Sequence, residues 1–166
     1  MRGGLRRRRR RVNPDAAEIC EDGTDSDCNG FDGQCLLEGT YDLSLADAIF
    51  VGEEPENYSG YGIGSAGDVD GDGYDDVFIG AYLNEEGGEN AGAAYLLYGP
   101  VSGDVGLDTA DAKFVGEEAN DYAGIRLAGI GDVNGDGFPD LMVGAYFNDR
   151  GGDYSGAAYL IYGGGL

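Results

Sequence analysis

From about residue 45 onward, apolar positions fall in short runs separated by glycine, asparagine and aspartate. The runs are Ala48–Gly52, Tyr61–Ala66, Val77–Leu83 and Ala93–Tyr98, and each has a counterpart 64 residues later. They are five to seven residues long, rich in β-branched and aromatic side chains, and bounded by turn formers, so they read as strands. An Asn/Gly turn, an acidic loop and a Gly-Gly turn at Gly87 or Gly151 separate them. No helical period competes. The two copies run without a gap: between Ala46–Gly99 and Ala110–Gly163, 30 of 54 positions are identical. A repeat of four short antiparallel strands predicts an all-β chain made of two four-stranded blades of a β-propeller. The repeats are expected at about 39–102 and 103–166.

Between the second and third runs lies Asp68-Val-Asp-Gly-Asp-Gly-Tyr-Asp-Asp76. Asp68, Asp70, Asp72 and Asp76 occupy positions 1, 3, 5 and 9, and Gly71 and Gly73 let the backbone fold these acids around one point. Calcium takes six to eight oxygens in flexible geometry, so these carboxylates and the backbone carbonyl of Tyr74 suit Ca²⁺ better than Mg²⁺. The second copy offers Asp132, Asn134, Asp136 and Asp140, with Phe138 in the place of Tyr74. An EF-hand would need a glutamate at position 12 and flanking helices. Position 12 is Ile79 or Val143, each inside a predicted strand. A plain Asp-Gly turn has no need to repeat acids at alternate positions, so recurrence of the pattern favours the metal.

Composition narrows the function further. Of 166 residues, 42% are hydrophobic and 33 are glycine, which fits a folded chain with many turns. The net charge is −22, yet seven of the ten basic residues lie in Met1 to Arg11, and the other 155 residues hold three basic and all 32 acidic ones, a net −29. Such a surface repels phosphate backbones and anionic membranes. Histidine is absent, which removes the commonest general base and zinc ligand. No run of 18 apolar residues exists to span a membrane.

Residues 1–12 form a basic leader expected to lack order. Arg6 to Arg11 resembles the start of a signal peptide, but Val12-Asn-Pro-Asp-Ala-Ala-Glu18 stands where an apolar stretch should follow. It reads as a solvated charge run or as sequence upstream of the true start, ahead of a nuclear or nucleic-acid tail. Residues 13–38 are a Cys- and Asp-rich segment too polar for a core. Cys20, Cys28 and Cys35 suggest one disulfide and one thiol left for a partner, and Asp22, Asp25 and Asp27 could hold a cation.

Gly67-Asp-Val-Asp-Gly-Asp-Gly73, Gly80-Ala-Tyr82 and Gly144-Ala-Tyr146 resemble the FG-GAP repeat of integrin alpha-subunit propellers and of many bacterial surface proteins, from about residue 45 to the end. The usual Gly-Ala-Pro reads Gly-Ala-Tyr in both copies, and the Phe-Gly signature reads Tyr61-Gly62 and Ile125-Arg126. The resemblance implies an extracellular or cell-surface propeller for adhesion or scaffolding. It implies calcium on the outer ends of the blades, held by Asp68, Asp70, Asp72 and Asp76 and by Asp132, Asn134, Asp136 and Asp140. Residues 13–38 resemble a Cys-containing metal-binding motif of secreted bacterial proteins, departing from it at Asp15, Ser26 and Asn29.

No catalytic cluster stands outside the metal loops, so the chain is expected not to be an enzyme. A carbohydrate-binding, lectin-like propeller is the alternative, and after it the non-catalytic part of a secreted polysaccharide-acting enzyme. Eight of twelve tyrosines match across the repeats, as Tyr95 does Tyr159, and are expected in cores or interfaces. The partner is a protein or glycan. Because propellers close with about four to eight blades, the remaining blades must come from a parent protein or from further copies of the chain. The open blade faces are expected to carry Phe78, Tyr82, Met142 and Tyr146.

Overall fold

A computed structural model describes Thr40 and residues 42–164. The basic leader, the segment 13–38 and its three cysteines lie outside the described residues. Among its described residues, the folded unit Leu43–Leu166 is all-β apart from two short 3-10 turns, Leu43–Leu45 and Leu107–Thr109. Its strands are β1 (Ala48–Val51), β2 (Gly62–Gly67), β3 (Asp76–Ala81), β4 (Ala93–Leu97), β5 (Gly103–Gly106), β6 (Ala112–Val115), β7 (Arg126–Gly131), β8 (Asp140–Ala145) and β9 (Ala157–Ile161). All eight runs anticipated from the apolar pattern are strands within a residue or two of their expected limits. β5 is additional: Gly-Asp-Val-Gly has too little apolar content to be read as a strand.

The strands form a four-stranded antiparallel sheet β2-β3-β4-β6, a three-stranded antiparallel sheet β7-β8-β9, and a parallel pair β1-β5. The chain therefore builds two adjoining propeller blades, with no closed ring. Each blade is out of phase with the repeat. The four strands of one repeat do not make one sheet: β6, which opens the second repeat, is the outer strand of the first blade, pairing Ala94 with Phe114 and Leu96 with Ala112. β1 opens the first repeat and lies outside its own blade, against β5. A 64-residue period looks the same wherever it is cut, so it carries no sign of which blade the first strand joins.

Strand alternation then sorts the core. Phe78, Ala94 and Leu96 face one way and, with Leu141, Val143 and Ala145 of the second blade, form the cluster between blades. Ile79, Tyr95 and Leu97 face the other way, where Phe50, Val105 and Leu107 cover them. Complete burial of a side chain such as Phe78 or Leu141 contributes about 1.5–3 kcal/mol. Phe78 is thus wholly inside and does not lie on an open face, because the second blade covers it. Tyr146, by contrast, is exposed, and Tyr82 and Met142 are half-buried. The blades meet without room for side chains at one point. A Cβ on Gly80 would fall on the carbonyl of Gly124, and Gly124 itself sits at φ +84.

Candidate metal centre

Each acidic loop leaves its inner strand through an irregularity in register, between Ser65 and Gly67 in the first blade and between Gly129 and Gly131 in the second. Gly67 and Gly131 take positive φ there and re-aim the chain. The loop then wraps on its own carboxylates. Asp68 accepts the N–H groups of Gly71 (2.8 Å) and Gly73 (3.0 Å), Asp70 accepts that of Asp72 (3.1 Å), and Asp72 that of Tyr74 (2.8 Å). Gly71 and Gly73 stand at φ +80 and +97, which a side chain would resist. The result places one carboxylate oxygen from each of Asp68, Asp70 and Asp72 within 4.8 Å of one another. Asp70 and Asp72 are exposed, and Asp68 is half-buried.

Asp76 is placed differently. It is buried, and its two oxygens accept the N–H groups of Val69 (2.8 Å) and Gly99 (2.9 Å), tying the loop to the segment after β4. Burial pushes its carboxyl above the ordinary value; the two backbone N–H bonds oppose the shift, while the charges of Asp70 and Asp68 add to it. Carboxylate oxygens have further lone pairs, so this bracing role leaves Asp76 able to face a cation as well.

The second loop repeats the plan. Asp132 accepts N–H groups from Gly135 (2.6 Å), Asp136 (3.1 Å) and Gly137 (2.9 Å), Asp136 accepts that of Phe138 (2.9 Å), and Asp140 accepts those of Val133 (2.7 Å) and Gly163 (3.0 Å). Asn134 stands where Asp70 does and donates to Asp136 (2.7 Å), so this loop has one charge fewer and ties up one oxygen. The loops are neighbours: a Cβ on Gly71 would lie 2.7 Å from the Phe138 ring. The side chains of both loops offer only oxygen toward a cation, apart from the Asn134 amide. That donor set fits a hard cation and gives a soft or borderline one nothing to prefer.

At the opposite end of β3 and β8 the surface is aromatic. Ring contacts run from Tyr61 to Tyr82 (4.8 Å), Tyr82 to Tyr122 (6.2 Å), Tyr122 to Tyr146 (5.8 Å), Tyr146 to Phe147 (4.2 Å) and Phe147 to Tyr154 (5.1 Å). Tyr122 and Tyr154 hold left-handed backbone at φ 56 and 55. The matched tyrosines divide between roles: Tyr95 is core, whereas Tyr82, Tyr122 and Tyr146 join this row. Matching across the repeats pointed to Tyr82, Tyr122 and Tyr146, but not to their joining one continuous set of ring contacts.

A second polar cluster was not visible in the sequence. The Tyr95 hydroxyl donates to Glu53 (2.7 Å), Lys113 pairs with Glu53 (2.6 Å) and with Glu86, and its ammonium lies 5.3 Å from the Tyr95 ring centre. The Lys113 bond, then the Tyr95 bond, lower the Glu53 carboxyl. Burial, then the bond to Glu53, push the Tyr95 phenol up to about 12. Burial disfavours the Lys113 ammonium, but its bonds to Glu53 and Glu86 outweigh this and raise its pKa. In the second blade Tyr159 donates to Glu117 (2.8 Å) and is likewise pushed up to about 12, by burial and by that bond, while Arg150 pairs with Glu117 (3.1 Å).

Two adjoining four-strand-type blades with acidic loops on their inner hairpins define a β-propeller module. The chain carries two FG-GAP repeats: the FG-GAP repeat model matches residues 59–97 and 123–161. These ranges contain β2-β3-β4 and β7-β8-β9 and leave out the outer strand, in agreement with the blade phase. Residues 8–32 match a second family, described as "Putative metal-binding motif" and labelled for copper. Among curated proteins none matches the chain. Among the described residues no helix is long and apolar enough to cross a membrane.

Proposed function

We propose that the chain is a calcium-binding propeller module that works outside the cell in adhesion or scaffolding, without catalytic activity. The observation that carries the metal is the convergence of Asp68, Asp70 and Asp72 within 4.8 Å on a loop whose backbone is already hydrogen-bonded into shape. Asp68, Asp70, Asp72 and Asp76 with the carbonyl of Tyr74 would hold one ion, and Asp132, Asn134, Asp136 and Asp140 with that of Phe138 a second. Bound calcium supplies the positive charge that lets these acids share one loop. Sites of this type in extracellular modules bind at about 10⁻⁴–10⁻³ M, which suits a compartment rich in calcium. Copper, named by the family matched at 8–32, has no preferred donor in these loops.

Calorimetric titration of the full chain with Ca²⁺ is expected to show two sites, the tighter in the first loop, which has Asp70 at the position that Asn134 takes in the second. Asp72→Ala should remove the tighter site and Asp136→Ala the weaker. Unchanged stoichiometry in both variants would overturn the assignment.

The aromatic row supports a second reading, a glycan-binding face, since its exposed tyrosines, Tyr61, Tyr146 and Tyr154, can stack on sugar rings. Tyr82→Ala and Tyr146→Ala should then lose oligosaccharide binding on an array while calcium binding persists. Wild-type protein that binds no glycan on the array would dismiss this reading.

A further inference from the structure

Among the described residues, nothing pairs with the outer edge of β9. Its counterpart β4 is covered by β6, and the difference is large: Leu96 is 0% exposed and Leu160 is 46% exposed. The segment that covers β4, Ala110-Asp-Ala-Lys-Phe-Val-Gly-Glu-Glu118, recurs as Ala46-Asp-Ala-Ile-Phe-Val-Gly-Glu-Glu54, identical at eight of nine positions. The edge it covers recurs too, since Ala93-Ala-Tyr-Leu-Leu97 becomes Ala157-Ala-Tyr-Leu-Ile161. The chain therefore holds both halves of one strand pairing, a covering strand at β1 and an uncovered edge at β9.

The backbone of β1 is turned correctly for this. Gly103 N–H donates to the Asp47 carbonyl (2.7 Å), so the N–H and C=O groups of residues 47, 49 and 51 face β5 and those of Ala48 and Phe50 point to the free edge. On β6, Gly116 N–H donates to the Gly92 carbonyl (2.8 Å), which puts residues 112, 114 and 116 toward β4. The two sets are equivalent. The free edge of β1 is the edge that, in β6, bonds the blade.

Side chains agree, including where the repeats differ. In the first blade the covering strand brings Lys113 opposite Tyr95, and Glu53 and Glu86 receive its charge. In the second blade the counterpart of Glu86 is Arg150, which already pairs with Glu117. A lysine on the incoming strand would add an unmatched positive charge there, and the counterpart of Lys113 in β1 is Ile49. Phe114 meets Phe78 edge-on at 6.0 Å, and Phe50 would likewise meet Met142, a favourable sulfur–ring contact.

We infer that β1 of one copy docks on β9 of another, antiparallel, with Phe50 opposite Ala158 and Ala48 opposite Leu160, so that copies join head to tail. Closed propellers have about four to eight blades, so rings of roughly two to four copies are expected.

Light scattering on the full chain in calcium-containing buffer should give a mass that is a multiple of 17.3 kDa. A 17.3 kDa species at about 100 μM, far above the concentrations at which specific interfaces form, overturns the inference. Ala48→Pro removes a free-edge N–H without touching the bonds to β5, and Ala158→Pro does the same on β9. Each variant alone should be monomeric, and their mixture should form a one-to-one pair through the one intact junction. A mixture that stays monomeric also overturns it. Arg150→Glu should weaken assembly roughly ten-fold or more by leaving two acids without a cation, and adding Ile49→Lys should restore it. A double variant no better than Arg150→Glu means that Ile49 and Arg150 do not meet.

Discussion

Asp76 and Asp140 each hold a loop shut from inside by accepting two backbone N–H groups. Asp76→Ala would leave the N–H groups of Val69 and Gly99 without acceptors and should cost about 1–3 kcal/mol in urea unfolding of the calcium-free chain. Asp70→Ala, on an exposed residue, should leave that stability nearly unchanged while abolishing the first calcium site. The spacing 1-3-5-9 singles out four residues of each loop as a set, four acids in the first and three acids with Asn134 in the second. It did not reveal that the ninth residue braces the loop, because the bracing partner Gly99 lies 23 residues further on. The Tyr95 cluster gives a pH prediction of definite sign. A phenol whose folded pKa is raised from 10.0 to about 12 binds its proton more tightly in the native state, so its contribution is whole below pH 10 and is lost as pH rises toward 12. Lys113, raised in the folded state, acts in the same direction above its ordinary value. Stability measured by urea from pH 9 to 12 should fall, and Tyr95→Phe should flatten the fall.

At the scale of strands and sheets, β-branched and aromatic runs bounded by Gly, Asn and Asp were enough to place eight strands, since a buried strand needs little else. Their allocation to blades was not legible. Ala48–Val51 and Ala112–Val115 are nearly identical in sequence, yet β1 pairs with β5 outside both blades while β6 closes the edge of the first. Close contact between the blades depends on residues with no side chain. Gly124→Ala would combine left-handed backbone with a Cβ driven onto the Ala93 carbonyl, and is expected to lower stability by about 2 kcal/mol or more in thermal or urea unfolding. Gly60→Ala tests the strain alone: it shares the positive φ but has open space around it, so its loss should be smaller.

The whole molecule is strongly acidic, and filling both loops would relieve part of that self-repulsion. At calcium about 100-fold above Kd, each occupied site should add about 2.7 kcal/mol, so chelation should shift thermal unfolding downward, and more in wild type than in Asp72→Ala.

The overlap between repeat and blade has a mechanical meaning. β6 is covalently the first strand of the second repeat and physically the edge of the first sheet, so the blades are lapped like planks and not butted end to end. Tension applied through the two ends of the folded unit cannot draw the second blade away without peeling β6 from β4, which opens the first blade at the same moment. A single-molecule pulling trace should therefore show both repeats yielding in one event. Two separate events of equal length would mean that the shared strand bears no load.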